Sequence, residues 1–423
     1  MSSLQPVRGT HDLMFEDIRR HRHIEATAFE VAARYGYAEI ATPVFEFTEV
    51  FSRTLGDTSD VVTKEMYTFD TKGGESITLR PEGTAGVARA FISGGLAQQT
   101  PLKFFYRGAM FRHERPQKGR QRQFHQVGVE LLGVESPQAD VEVIALAAHI
   151  LSSLDLNGEI TLEINSLGDV ESRAAYREAL ISHFAPHKNY LSAENQERLG
   201  KNPLRILDSK TEIVDEKLLI KTAPKFEAYL NEASRNFFKA VQDGLAALDI
   251  KFKVNPALVR GLDYYCHTAF EFTTGVLGAQ STVLAGGRYD GLIKQMGGPP
   301  TSGIGWAAGV ERLALMMREI APAQRPIAII PVSPAEETVA AALTHALRQA
   351  GLTVDIGYSG NMGKRMKRAD KIKAAAAVIL GGDEVRDGTA TLRNLDSGEQ
   401  VNVKQADLAR QLTAWGLCPP SGA

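Results

Sequence analysis

Cysteine is scarce: Cys266 and Cys418 are the only two in 423 residues. So widely spaced a pair builds neither a disulfide framework nor a cysteine-type zinc site. A reducing cytoplasm is the expected home. No apolar run is long enough to span a bilayer, so no membrane association is expected. The opening stretch, Met1-Ser-Ser-Leu-Gln-Pro-Val-Arg, lacks the apolar core of a signal peptide. Net charge is also scarce, at −2. Any nucleic-acid partner must therefore be held by local basic patches. The ten histidines show no metal-ligand spacing. His113, His125 and His267 read as strand-packing or surface residues, and no metal-ligating side chain is expected.

What is present fits a globular chain of two or three domains, 43% hydrophobic and 23% charged. An amphipathic helix is expected over Glu16–Arg34 and ends at Gly36. An extended segment, Ala38–Val44, and a short strand, Ser76–Leu79, follow. Thr84 reads as the N-cap of a small-residue helix, Ala85–Phe91. Two long strands, Leu102–His113 and Gln121–Leu132, flank a polar loop, and a helix is expected over Ala139–Leu154. Residues 170–248 are charged and helical in pattern, an insertion between the Thr161–Ile164 strand and later strands at Leu258–Phe272 and Thr282–Ala285. Gly286-Gly287 reads as a turn, and Ser302–Trp306 as a strand feeding a helix. Ala321–Arg325 is a linker, beyond which strand and helix alternate, the mark of a small α/β domain with a largely parallel sheet. The domains expected are therefore 1–325, an antiparallel α+β core with its insertion, and 326–423.

On the second long strand, period-two alternation places Phe124, Gln126, Gly128 and Glu130 on one face. His125, Val127, Val129 and Leu131 take the other, which suits a core. The facing strand puts Tyr106, Gly108, Met110 and Arg112 on one side. Glycines in mid-strand often mark a close approach. This face reads equally as the wet side of an antiparallel sheet. The loop between the strands carries Arg115, Lys118, Arg120 and Arg122. It is either a protected hairpin end or a contact for polyphosphate or nucleic-acid backbone.

Residues 106–130, Tyr-Arg-Gly-Ala-Met-Phe-Arg-His-Glu-Arg-Pro-Gln-Lys-Gly-Arg-Gln-Arg-Gln-Phe-His-Gln-Val-Gly-Val-Glu, closely resemble the second signature motif of class II aminoacyl-tRNA synthetases, in the form of the histidyl family. Tyr35–Glu46 resembles the first, dimer-forming motif, and Gly303–Arg312 the third. Leu258–Tyr265 and Ala285–Leu292 resemble two segments peculiar to histidyl enzymes. Gly303-Ile-Gly-Trp-Ala-Ala-Gly309 also approaches a dinucleotide fingerprint, but has one residue too many and no acidic partner downstream.

The resemblance implies a class II antiparallel-sheet catalytic domain and an anticodon-binding domain. It also implies a homodimer that activates L-histidine with ATP and Mg²⁺ and charges tRNA(His). That chemistry joins two anions, so fixed cations should carry much of it. By the resemblance, Arg112 lies on the α-phosphate and the histidine carboxylate, and Arg260 on the opposite side; these two are the expected catalytic residues. Arg120 reaches toward the terminal phosphates, and Phe124 and Arg312 sandwich the adenine. Glu82, Thr84 and Gln126 take the ammonium; Glu130 and Tyr265, with Tyr264 beside it, take the imidazole. The sequence offers no all-protein cage for Mg²⁺.

Without the family pattern these residues have plainer readings. Glu82 could be a helix-start carboxylate, and Arg260 with Asp263 a surface ion pair. In the C-terminal part, Lys364, Arg365, Lys367, Arg368, Lys371 and Lys373 share one expected helix, Met362–Ala375. Such a run is either a solvated face or, as the resemblance implies for Lys364, Arg365, Lys367 and Arg368, a contact for tRNA phosphates. Arg115 and Gln117 are expected near the acceptor end of the tRNA and its extra 5′ guanosine.

Overall fold

A computed structural model describes residues 4–55, 65–207, 209, 211–258, 264–278 and 281–417. Arg260, Asp263 and Cys418 lie outside the described residues. The chain divides into two compact units, Met1–Ile320 and Ala321–Ala423.

The first unit is built on an eight-stranded sheet. Its spatial order is Ala38–Glu39, Leu102–Phe111, Gln123–Leu132, Gly303–Gly309, Thr282–Arg288, Cys266–Thr274, Ile160–Ser166 and Lys253–Val254. The six inner strands pair antiparallel, and the short outermost strands pair parallel with their neighbours. The Glu16–Arg34 helix covers one face with His21, Ile24, Ala28, Val31 and Ala32, a stripe at helical spacing. Glu16 and Asp17 in its first turn and Arg34 in its last suit the helix dipole. The Pro137–Ser153 helix starts where the Ser136 hydroxyl accepts the N–H of Gln138 at 3.3 Å. Its Val143, Ile144 and Ala147 join Val127, Val129 and Leu131 of the sheet in one buried cluster.

The opposite face carries a second cluster, in which Tyr106 and Met110 of the sheet meet Ala85, Ala88 and Phe91 of the Thr84–Ser93 helix. That helix begins at Thr84 rather than at Ala85. Its N-cap is Gly83, so Thr84 is not the cap its sequence position suggests. The Glu82 carboxylate supplies the capping bonds, accepting the N–H of Thr84 at 2.6 Å and of Ala85 at 2.8 Å.

A second departure concerns Gly286-Gly287. No turn forms there; the strand runs straight on to Arg288, in register with Trp306 and Gly305. Glycine suits a turn in isolation, but here the missing side chains admit bulky neighbours, with the Tyr265 ring lying 2.8 Å from where a Cβ on Gly287 would be. The expected strand over Leu258–Phe272 is observed as Cys266–Thr274, and residues 259–263 lie outside the described part.

Residues 170–248 are helical throughout their regular elements, from Val170–Phe184 to Glu232–Ala247. The last helix belongs to the main core, through Val241 and Leu245. Among the described residues no helix is long and apolar enough to cross a membrane.

The second unit holds a five-stranded sheet ordered Val354–Ile356, Ile327–Pro331, Ala376–Leu380, Thr389–Asn394 and Gln400–Lys404. The first three strands are parallel, as the alternation suggests. The last two form an antiparallel hairpin, so the sheet is mixed rather than largely parallel. Gln400–Lys404 alternates exposed and half-buried residues at an edge, a weak signal in sequence.

Candidate active site

The hairpin face is built as the alternation requires. Tyr106 pairs with Gly128, Gly108 with Gln126 and Met110 with Phe124. The mid-strand glycines, however, admit the protein's own side chains. A Cβ on Gly128 would stand 2.3 Å from the Tyr106 ring, and one on Gly108 would stand 2.4 Å from the Arg80 guanidinium.

Beside this face lies a cleft of about 420 Å³. Its walls include Glu82, Thr84, Arg112, Arg120, Phe124, Gln126, Tyr264, Tyr265 and Arg312. Four separate stretches of sequence thus converge on one space. Arg112 is held by its Nε, which donates to the Pro81 carbonyl at 2.9 Å, and its guanidinium carbon sits 5.4 Å from the centre of the Phe124 ring. Arg120 pairs with Glu114 at 3.0 Å. Arg312 donates from Nε to Gly119 O at 3.2 Å and from Nη1 to Thr282 O at 2.6 Å. Burial lowers the Arg312 pKa, and the nearby Arg120 and Arg112 charges lower it further. The cation against Phe124 is therefore Arg112 in this structure, while Arg312 is fixed on the cleft wall by two carbonyls.

The polar end of the cleft is more deeply buried. Gln126 Oε1 is buried and has no hydrogen-bond partner among the described residues. Glu82 lines the same wall, its carboxyl pKa raised by burial against the opposing pull of the Ala85 and Thr84 bonds and of Arg112. It is thus both a helix-start carboxylate and a cleft residue. Tyr264 and Tyr265 lie side by side with ring centres 4.6 Å apart and planes tilted by 44°, and the Tyr265 carbonyl accepts from Arg173 at 2.8 Å.

Glu130 is fully buried and is not among the lining side chains. Its Oε1 accepts the Thr84 hydroxyl at 2.7 Å and its Oε2 accepts the Tyr289 hydroxyl. Burial pushes its pKa up to about 8, although both hydroxyls act to lower it. Tyr289 is a residue that sequence reasoning missed. It follows the Thr282–Arg288 strand directly, and the reading of Gly286-Gly287 as a turn hid the strand that delivers it. Behind it, Arg288 and Asp140 form a fully buried ion pair that ties this strand to the Pro137–Ser153 helix.

Arg115 and Gln117 are exposed on the hairpin loop. In the second unit, Lys364, Lys367 and Arg368 are exposed on the Met362–Lys371 helix. Arg365 is not. Its side chain is 2% exposed and donates to Pro331 O and to Glu337, both at 2.5 Å, so it braces the domain and presents no charge to a phosphate. The helical turn that spaces Lys364 and Arg368 on the outside turns Arg365 inward.

Residues 9–313 match the family model of histidyl-tRNA synthetase, and residues 326–415 that of an anticodon binding domain. The chain belongs to the histidyl-tRNA synthetase family. It is 63% identical to a histidine–tRNA ligase of Rhodospirillum rubrum, over 98% of this chain and 100% of that one. It is 54% identical to a histidine–tRNA ligase of Gluconobacter oxydans, over 98% and 99% of the two chains. The crystal structure of apo histidyl-tRNA synthetase from S. aureus superposes with a TM-score of 0.83 at 35% identity, covering 97% and 99%. The enzyme is thus an aminoacyl-tRNA ligase, with histidine, ATP and tRNA as substrates.

Proposed function

We propose that the cleft lined by Arg112, Phe124, Gln126 and Tyr265 is where histidine is activated by ATP, with pyrophosphate released, before transfer to the 3′ end of tRNA(His). The observation that carries this reading is the buried Oε1 of Gln126, without a hydrogen-bond partner among the described residues, in a cleft that also presents Glu82 and three arginines. The Gln126 amide oxygen and the Glu82 carboxylate suit an ammonium. The arginines suit a carboxylate and phosphates.

In this reading Arg112, pre-oriented by the Pro81 carbonyl, swings from Phe124 to the α-phosphate and the histidine carboxylate. Adenine takes its place over the ring, with Arg312 opposite and Arg120 on the terminal phosphates. Arg260 acts from the other side of the α-phosphate, a role carried by family resemblance alone. The imidazole enters over Tyr264 and Tyr265 and meets Glu130. Thr84, released from Glu130, turns its hydroxyl to the ammonium with Glu82 and Gln126. No proton shuttle is needed, because the histidine carboxylate is already ionised.

Mg²⁺ belongs to this proposal too. Glu114 and Glu271 line the cleft beside the arginines and fit a cation that takes one or two carboxylates together with phosphate oxygens. When bound, it would supply charge neutralisation on the departing pyrophosphate. We further assign a homodimer, on the resemblance of Tyr35–Glu46 to a dimer-forming motif and on the exposure of Val44, Phe45 and Phe47 beside it. A cytoplasmic location, and tRNA contacts through Arg115, Gln117, Lys364, Lys367 and Arg368, complete the reading.

A non-hydrolysable histidyl-adenylate analogue with a sulfamoyl linkage tests the site. Calorimetry is expected to give one equivalent per chain, with binding weakened at least tenfold by Phe124→Ala and by Gln126→Ala. Unchanged affinity in both variants would place the site elsewhere.

A further inference from the structure

On the far side of the hairpin a cavity of about 480 Å³ is lined by His11, Asp12, His21, His125 and Glu311, among others. His125 faces it because strand alternation turns it away from Phe124 and Gln126. The ligand-capable atoms of His21, His125 and Glu311 all lie within 4.8 Å of one another. We propose that these three residues form a binding site for a divalent transition metal of the zinc class.

Two imidazoles and one carboxylate make a donor set suited to zinc, with a fourth position left to solvent or another ligand. Metal–ligand bonds of about 2.0–2.2 Å set neighbouring donors about 3.3 Å apart in a tetrahedron. The donor atoms here lie within 4.8 Å of one another, a spacing of the same order. The donors also sit on rigid elements: the Glu16–Arg34 helix, the Gln123–Leu132 strand and the first turn of the Val310–Met316 helix. Glu311 is already oriented, since the His125 backbone N–H donates to its two oxygens at 2.9 and 3.0 Å. Its separation from His125 Nδ1 is 2.9 Å.

A hydrogen-bonded His125–Glu311 pair explains those two residues by itself. It does not explain His21. That imidazole is 4% exposed, its Nδ1 is buried without a hydrogen-bond partner among the described residues, and its ring meets His125 edge-on at 5.4 Å. Burying an unpaired ring nitrogen beside a second imidazole and a carboxylate destabilises the fold unless something satisfies it. A cation in the cavity does so and draws all three side chains together. His11 and Asp12 line the same cavity and are candidates for the fourth position.

The test uses the full chain, stripped with a chelator and titrated with Zn²⁺ against a chromophoric competitor. One zinc per chain is expected in the wild type, together with a rise in Tm. Affinity should fall at least tenfold in His21→Ala and stay unchanged in His23→Ala, an exposed neighbour on the same helix. Retained histidine-dependent pyrophosphate exchange would show that His21→Ala is folded; His21→Asn, closer in shape, serves if it is not. Co²⁺ in the wild type should give the intense visible bands of four- or five-coordination. Absence of stoichiometric zinc in the wild type, equal affinity in the folded His21 variant, or a weak octahedral cobalt spectrum would each overturn the site.

Discussion

The Thr84 hydroxyl donates to Glu130 Oε1 at 2.7 Å, joining the first turn of a helix to the buried half of a strand. This bond links the two ends of the histidine site, since Thr84 is assigned to the ammonium and Glu130 to the imidazole. Thr84→Val keeps the shape but strips a fully buried carboxyl of a donor. A cost of about 1–3 kcal/mol in urea unfolding is expected, with a higher KM for histidine. Thr84→Ser should recover both. A valine variant with unchanged KM would separate the bond from substrate recognition.

The Glu130 carboxyl has a pKa raised to about 8 by burial, against an ordinary 4.5. Between those values the native protein holds a proton that the unfolded chain has released. Stability should therefore fall as pH rises through this window, and the loss should be complete above about pH 8. Glu130→Gln removes the titration. Chemical denaturation of the two proteins from acid to alkaline pH should show a flatter profile for the glutamine variant. Parallel profiles would mean that Glu130 ionises at its ordinary value.

Gly305 faces Glu130 across paired strands. A Cβ on Gly305 would meet Glu130 Oε2 at 1.9 Å and the Val129 carbonyl at 2.3 Å. Backbone cannot yield there as a flexible side chain could. Gly305→Ala is expected to lose about 1–3 kcal/mol of stability, and to lose histidine binding with it. Gly200→Ala is the contrast: it lies in the Ala193–Lys201 helix with open space around it and should gain about 0.5–1 kcal/mol. Urea midpoints compare the two directly.

On the Met362–Lys371 helix, neighbouring cations should behave differently. Replacing Lys364 and Lys367 by alanine should weaken tRNA binding, with no change in Tm. The slope of log K against log salt should shrink by about 0.7–0.9 for each phosphate that is no longer neutralised. Arg365→Ala should lower Tm, because its buried guanidinium supports Pro331 and Glu337. An Arg365 variant of normal Tm and weakened tRNA binding would reverse the assignment.

Much of this architecture was legible in the sequence, for definite physical reasons. Period-two alternation sorted Phe124 and Gln126 from Val127 and Val129, and the change of pattern after Pro322 and Pro326 marked where a second unit begins. Local propensity failed where tertiary packing overrode it. Gly286-Gly287 has the chemistry of a turn, yet it runs through a central strand because Tyr265 needs the space. Gly128 suggested a ligand's approach, but the Tyr106 ring fills that gap. Nor could linear spacing reveal Tyr289 beneath Glu130, or His21 beside His125, since each pair spans more than a hundred residues and meets only through sheet closure and helix packing. Arg365 shows the same limit on a smaller scale. A run of like charges does not say which member faces inward.

The most direct test of the proposed site is ATP–pyrophosphate exchange measured across a panel of amino acids. Exchange should require histidine and be lower by about 10⁴–10⁵ for analogues that lack the ring nitrogens. It should also fall by about 10²–10³ in Arg112→Ala. A well-folded preparation that exchanges equally with phenylalanine, or that keeps full histidine-dependent exchange without Arg112, would contradict the account.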